Sequence, residues 1–456
     1  MRIPIVRGKA VYDMKIHYML SSGQPGADEK TLARTQAQLR QDRSPKNERA
    51  ITLIGWILQG GVILSAAVIA LGLLLLPTRP GGLSPQRLLD FPQTLDQVVL
   101  GLLIPRPQSI IALGLFILIA TPVIRVAVSI FTFAFERDRT YVVITFFVLA
   151  ILLFSMFFLG RLTPHGEPND VQHLNFSLLI VLLIFLGSIA AGLLGALVGL
   201  GGGVLIVPLL TLVFHLPIAF AIGASIISVI ATSSGAAAAY VRDHLTNMRV
   251  GMFLELATTV GAISGAFLAG LLAPGLLSVI FGVILLISAA PLIFKIGEEL
   301  PQGVQNDRWA DWLRLASSYP DRHLGKEIPY QVTRTPLGLA MMYIAGFISG
   351  LLGIGSGTFK VLALDTLMRL PLKVSTTTSN FMIGVTAAAS AGIYFSRGDI
   401  PPLLAAPVAL GILPGALIGA RLLAHLSNKT LRLIFLPVIA ISALEMILHG
   451  AGIGPF

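Results

Sequence analysis

Uncharged apolar runs of about 20 residues recur along this chain, and that pattern leaves few solvents in which it can fold. A run of that length, coiled at about 1.5 Å per residue, covers the ~30 Å hydrocarbon core of a bilayer. Inside that core each backbone N–H and C=O must be satisfied within the segment, so helices are the expected form. The first run covers residues 51–76 and is closed by Pro77, Pro80 and Gly81-Gly82; two more follow at 109–134 and 141–160. Only 12% of the 456 residues are charged while 55% are hydrophobic, against roughly 25% charge in a soluble protein. The expectation is an all-α polytopic integral membrane protein.

Charge then reports orientation. The net charge is +10, and residues 1–50 hold ten Lys/Arg against five Asp/Glu. That is the profile of a cytosolic tail before a first span, and Arg137 and Arg139 in the next turn on that side agree with it. A short helix over residues 29–41 is expected within the tail. No aromatic-interleaved basic motif accompanies the charge, so nucleic acid is not an expected partner. Cysteine is absent, which removes disulfides and thiolate metal sites.

The expected organisation is a tail at 1–50, a three-span unit at 51–160, a polar connector at 161–175, and two apolar blocks at 176–295 and 335–449. Between the blocks lies a polar stretch, 296–334, with five Lys/Arg, six Asp/Glu, Trp309, Trp312 and Tyr319. It reads either as a solvated loop or as a small amphipathic cap. The blocks are copies of one unit. At an offset of 154 residues, Gly199 meets Gly353, Gly201 meets Gly355, Gly203 meets Gly357, Ser225 meets Ser379 and Thr232 meets Thr386. Further on, an offset of 150 lays Gly261 and Gly265 on Gly411 and Gly415.

Each copy opens with a glycine-punctuated stretch, at 192–203 and 346–357. Each interior glycine costs a helix up to ~1 kcal/mol, so both stretches are expected to break, away from lipid. Only about 12 residues follow before the next turn, too few to cross alone as an ordinary span. If that short segment completes a crossing, the second copy is inverted relative to the first; if it is re-entrant, the Arg242/Arg249 loop falls outside. The positive-inside rule favours inversion.

Paired broken helices in two repeats point to a substrate site near the mid-membrane. Gly199, Gly201, Gly203, Gly353, Gly355, Ser356, Gly357 and Thr358 supply backbone that an anion could approach. The run from Ser375 to Asn380, above all Thr378, Ser379 and Asn380, together with Ser225, forms a polar wall that is costly in lipid unless bonded or wet. Lys360 and Asp365 stand where the first copy has Ile206 and Thr211. Ionisable groups at membrane depth are functional candidates: Lys360 to balance an anionic substrate, Asp365 to carry a proton. Glu255, Glu445, His215 and His425 are weaker candidates, because each could sit at a span end. Close glycine packing of helices is the plain alternative for the glycines.

No enzyme motif survives inspection: Val204 stands where a dinucleotide fingerprint wants its third glycine, and no Gly-x-Ser-x-Gly elbow occurs. No enzyme activity and no cofactor are expected. The stretch ending G-x-G-G-G-x-x-x-V-P at Pro208, its degenerate copy at 346–357, and the Ser/Thr-Asn run before Phe381 resemble the TauE/SafE family of sulfite and organosulfonate exporters. The resemblance covers about residues 176–449. It implies secondary transport of a small sulfur-containing anion, such as sulfite, thiosulfate or an organosulfonate, across the plasma membrane. Alternating access, one repeat rocking against the other, is the mechanism expected of the paired breaks, driven by an ion gradient with a proton as the candidate coupling ion. The N-terminal three-span unit is similar to a small membrane domain of unknown function found beside such transporters. Ser356 and Leu362 depart from Gly202 and Pro208 of the first copy, so the halves need not contact substrate equally. A membrane scaffold or sensor subunit is the competing class.

Overall fold

The computed structural model describes residues 45–78, 92, 95–104, 106–159, 178–198, 202–242, 245–294, 303–321, 326–423 and 428–453. Residues 1–47 and 48–456 form separate units, and only 45–47 of the first are described. The expected tail helix at 29–41, the connector 161–175, His425, Gly199 and Gly201 lie outside the described residues.

The N-terminal helices are α1 (Pro45–Leu75), α2 (Leu95–Leu103), α3 (Pro107–Phe135) and α4 (Arg139–Phe154), the last ending in a π-helical turn, Ser155–Leu159. The short α2 lies between the first two apolar runs, where the sequence marks no span. Small residues let α1 and α3 pack antiparallel: a Cβ on Gly61 would meet Thr121 at 2.6 Å, one on Gly72 would meet Ile111 at 2.6 Å, and Ser65 donates to the Gly114 carbonyl (2.8 Å). The start of α1 therefore lies at the same end as the α3–α4 turn.

The first repeat comprises α5 (Leu178–Val198), α6 (Gly203–Pro208), α7 (Ile218–Arg242), α8 (Met248–Ala269) and α9 (Pro274–Phe294). After α10 (Arg308–Trp312) and a hairpin of β1 (Ser317–Asp321) and β2 (Lys326–Tyr330), the second repeat comprises α11 (Thr335–Leu352), α12 (Gly357–Leu362), α13 (Leu372–Ser396), α14 (Pro402–Leu423) and α15 (Asn428–Gly450). Among the described residues, seven helices are long and apolar enough to cross a membrane, and a bilayer accommodates them as a multi-pass bundle.

The duplication holds at the level of single turns. Both short helices, α6 and α12, run on into five-residue π turns, Leu209–Val213 and Ala363–Leu367. Pro208 is not the cause, since Leu362 occupies its place in the second copy and the turn is the same. His215 and Arg369, again 154 apart, both adopt positive φ just beyond those turns.

One sequence alignment is corrected. Gly261 packs on the Tyr343 carbonyl and Gly265 on that of Phe347; in the other copy Gly415 packs on Ile189 and Gly419 on Leu193. The true equivalents are thus Gly261 with Gly415 and Gly265 with Gly419, and the offset stays at 154. Glycines spaced by four along α14 allow a one-turn slip in sequence that the packing forbids. These contacts also show that the copies exchange partners: α5 packs on α14, and α11 on α8.

The short segments return the chain to the face it left. In the second copy, Thr333 N–H donates to the Met368 carbonyl (3.2 Å), and Gly338 lies against the Met368 side chain. In the first, Gly187 faces Leu209, and Gly202 lies beside Gly192. Each repeat therefore makes an odd number of passes, and the second is inverted with respect to the first. Consistently, the start of α9 at Gly275 touches the end of α15 at Gly450. At the pseudo-twofold centre α7 packs on α13, which is buried along most of its length. That burial is how the polar run 375–380 escapes lipid.

The stretch between the repeats is built, not bare. Asn247 caps α8 by accepting from Val250 N–H (3.0 Å), and its amide donates to the Leu315 carbonyl (2.9 Å) and Tyr330 hydroxyl (2.9 Å). Tyr141 donates to the Leu313 carbonyl (2.7 Å). Asn247→Ala removes the cap and the tie together and is expected to cost about 2 kcal/mol. A lower thermal midpoint of the detergent-solubilised protein checks this; an unchanged midpoint would refute it. On the opposite face Arg397 binds Asp399 (2.7 Å) and the Ala266 carbonyl (2.8 Å), and burial raises the Asp399 carboxyl against the pull of that arginine.

Candidate functional site

Lys360 is the third residue beyond Gly357, on the first turn of α12, and it is fully buried. A buried ammonium needs compensation. Its Nζ donates to Thr386 Oγ1 (2.6 Å) in the middle of α13, and that hydroxyl lies 2.9 Å from Glu255 Oε1 on α8, to which it donates. Lys360, Thr386 and Glu255 thus form a relay across three helices, and Glu255 is 1% exposed. The second oxygen of Glu255 has no hydrogen-bond partner among the described residues.

A fourth helix, α3, packs beside this relay: Pro122 lies against Gly384, and Val126 clusters with Val385 of α13 and Leu256 of α8, neighbours of Thr386 and Glu255. Arg125 of α3 is 0% exposed, and its guanidinium carbon stands 4.2 Å above the Phe381 ring of α13. None of its three side-chain nitrogens has a hydrogen-bond partner among the described residues. Buried polar groups are nearly always bonded, so five donors left open in one place need a chemical reason. Counted as ionised groups, Arg125, Lys360 and Glu255 leave one positive charge in the interior.

The other expected site residues fall into distinct places. Ser225 lies 2.9 Å from the Gly203 carbonyl and 2.8 Å from that of Gly353, so its hydroxyl ties the two chain breaks together at the pseudo-twofold centre. A Cβ on Gly203 would come within 3.1 Å of the Gly353 carbonyl, which shows how closely those breaks meet. Ser379, its counterpart in the second repeat, donates to the Gly357 carbonyl (3.3 Å), the equivalent of Gly203. Thr378 accepts from Asn247 N–H (3.1 Å) toward the face of the cap.

Gly353 and Gly355 have φ of 69° and 72°, a backbone region in which glycine carries no penalty, and Gly355 sits between Val229 and Ile383. Ser356 adopts φ of 47° although it has a side chain; it is buried, and its hydroxyl has no partner among the described residues. Such strain gathers where the surrounding structure fixes it. Thr358 and Asn380 are half-buried on α12 and α13. Asp365 is buried on the π turn, but the carboxylate joined to Lys360 through Thr386 is Glu255.

Arg125 and Thr386 are the residues that the sequence argument missed. The signal for Arg125 was present: it is the single charged residue of α3. His215 and His449 line a separate cavity of about 590 Å³ with Thr211, Pro217, Pro274 and Ser278, which shares no residue with the Lys360 relay. Glu445 is half-buried on α15.

Comparison with known proteins gives two family matches. Residues 183–446 match the family described as sulfite exporter TauE/SafE, and residues 54–157 match a family of unknown function, DUF1634. The chain is 27% identical over 277 residues to the probable membrane transporter protein YunE of Bacillus subtilis (strain 168), covering 59% of this chain and 98% of that one. It is 30% identical over 247 residues to the probable membrane transporter protein YdhB of the same organism, covering 54% and 89%. No solved structure matches it.

Proposed function

Since the chain belongs to the TauE/SafE sulfite exporter family, we propose that it carries a small sulfur-containing anion, sulfite, thiosulfate or an organosulfonate, across the plasma membrane by alternating access. The observation that carries this proposal is Lys360, a buried cation at the break of the second repeat, tied through Thr386 to Glu255. An anion of matching charge is the natural complement of such a site. Gly353, Gly355, Ser356, Gly357 and Thr358 are its proposed backbone wall, with Ser379 and Asn380 opposite.

Inverted repeats that exchange helices suit alternating access, because rocking one half against the other opens the same central site to each face in turn. With Lys360 and Glu255 closed off from both faces, the conformation fits the occluded midpoint of that cycle. Glu255 takes the coupling-proton role in this scheme, ahead of Asp365, because it shares Thr386 with the lysine. Arg137, Arg139 and Arg249 lie on the face of the cap, where Arg249 meets Glu136 and Asp138 at 3.5 and 3.7 Å. By the positive-inside rule that face is cytoplasmic, and α1 starts there.

Flux in liposomes reconstituted with the purified chain tests the proposal. Saturable uptake of sulfite or thiosulfate that outcompetes carboxylates of similar size is the expected result. Absence of flux for every sulfur anion would overturn it and leave a scaffold or sensor role.

A further inference from the structure

We propose that Arg125, carried into the transporter core by the N-terminal unit of helices α1–α4, is a direct ligand of the transported oxyanion, and that Glu255 is the resident counter-anion which the oxyanion displaces. This rests on the transport reading and adds to it a role for residues 54–157, whose family match carries no function.

Three observations converge on Arg125. Its burial is complete, yet every side-chain nitrogen lacks a hydrogen-bond partner among the described residues. Its guanidinium carbon stands 4.2 Å over the Phe381 ring, a cation–π contact that holds the charge there without using any N–H donor. Finally, the unit that bears it is fastened to the core at both ends. Tyr141 donates to the Leu313 carbonyl at the cap face, and Ser155 donates to the Ala389 carbonyl (2.7 Å) toward the other face.

The chemistry of the donors selects the ligand class. A guanidinium offers planar paired N–H groups that match two oxygens of a tetrahedral or pyramidal oxyanion, whereas an ammonium offers a point charge. Arg125 and Lys360 together supply both. With Glu255 ionised the cluster balances one negative charge, and with Glu255 protonated it balances two. A dianion would therefore enter with a proton on Glu255, and a monoanion without one. The free oxygen of Glu255 and the open donors of Arg125 are the groups whose pairing changes when the anion arrives.

A merely structural Arg125, present to neutralise Glu255, predicts something different. Removing both charges together would then restore packing and leave binding intact. The test uses the full chain in nanodiscs with sulfite and thiosulfate as probes, measuring binding by calorimetry beside the thermal midpoint. Arg125→Lys, which keeps the charge and loses the fork, is expected to weaken binding by at least about 10-fold. Glu255→Gln, which removes the competing carboxylate, is expected to tighten it. The pair Arg125→Gln with Glu255→Gln removes opposite charges together and is expected to fold yet bind neither probe. Wild-type affinity in that folded pair would overturn the proposal and leave the transport reading intact. A wild-type chain that binds no sulfur anion would overturn both.

Discussion

Lys360→Met is expected to abolish anion flux, lowering it at least about 30-fold in liposomes, while the protein remains in the membrane fraction. Truncating one member of a buried, hydrogen-bonded charge cluster costs about 2–5 kcal/mol, because the partner is left buried and unpaired. Here that partner is Glu255, reached through Thr386 (2.6 and 2.9 Å). The loss has two separable parts. Adding Glu255→Gln to Lys360→Met removes the stranded carboxylate, so thermal stability should recover while flux stays lost. If Lys360→Met transports normally, the lysine is not at the substrate site; if the double variant regains flux, the lysine serves only to hold Glu255.

Gly350→Leu or Gly265→Leu should have an effect of similar size on a different property, the assembly of the bundle. A Cβ at Gly350 would run into the Ala262 carbonyl, and one at Gly265 into the Phe347 carbonyl. Backbone has no rotamer by which to yield, so α8 and α11 would have to separate, and the expected cost exceeds about 3 kcal/mol. The measurement is the yield of monodisperse protein after detergent extraction, set against Gly60→Ala, where a Cβ meets nothing within 4 Å. The control should extract like wild type. A monodisperse Gly350→Leu with an unchanged thermal midpoint would show that the α8–α11 contact is not needed for folding.

Parts of the site were visible in the sequence for reasons that can be named. Lys360 stood out because an ammonium inside an apolar segment is costly wherever that segment packs. The paired breaks stood out because glycine weakens a helix locally, whatever its neighbours do. Ser225 was correctly singled out as polar and central, but its hydroxyl turned out to bridge the Gly203 and Gly353 carbonyls. The link between Lys360 and Glu255 was hidden, since their relay joins residues 105 and 131 positions apart through a threonine whose value depends on who faces it.

What the sequence determined by itself was the class of fold and the order of its parts. Transfer of an apolar run into hydrocarbon is a sum over the residues of that run, so the membrane helices and the glycine-rich stretches expected to interrupt them can be read along the chain. Tertiary structure decided whatever depends on relations between runs. It fixed the offset of 154 by glycine-to-carbonyl contacts, and it inverted the second repeat by returning each short segment to its starting face. It also brought Arg125 from the N-terminal unit over Phe381, on a helix whose Val126 packs with Val385 and Leu256 next to the Lys360 relay. A buried charge has its energy set by distance to other charges and donors, and no spacing along the chain encodes that distance.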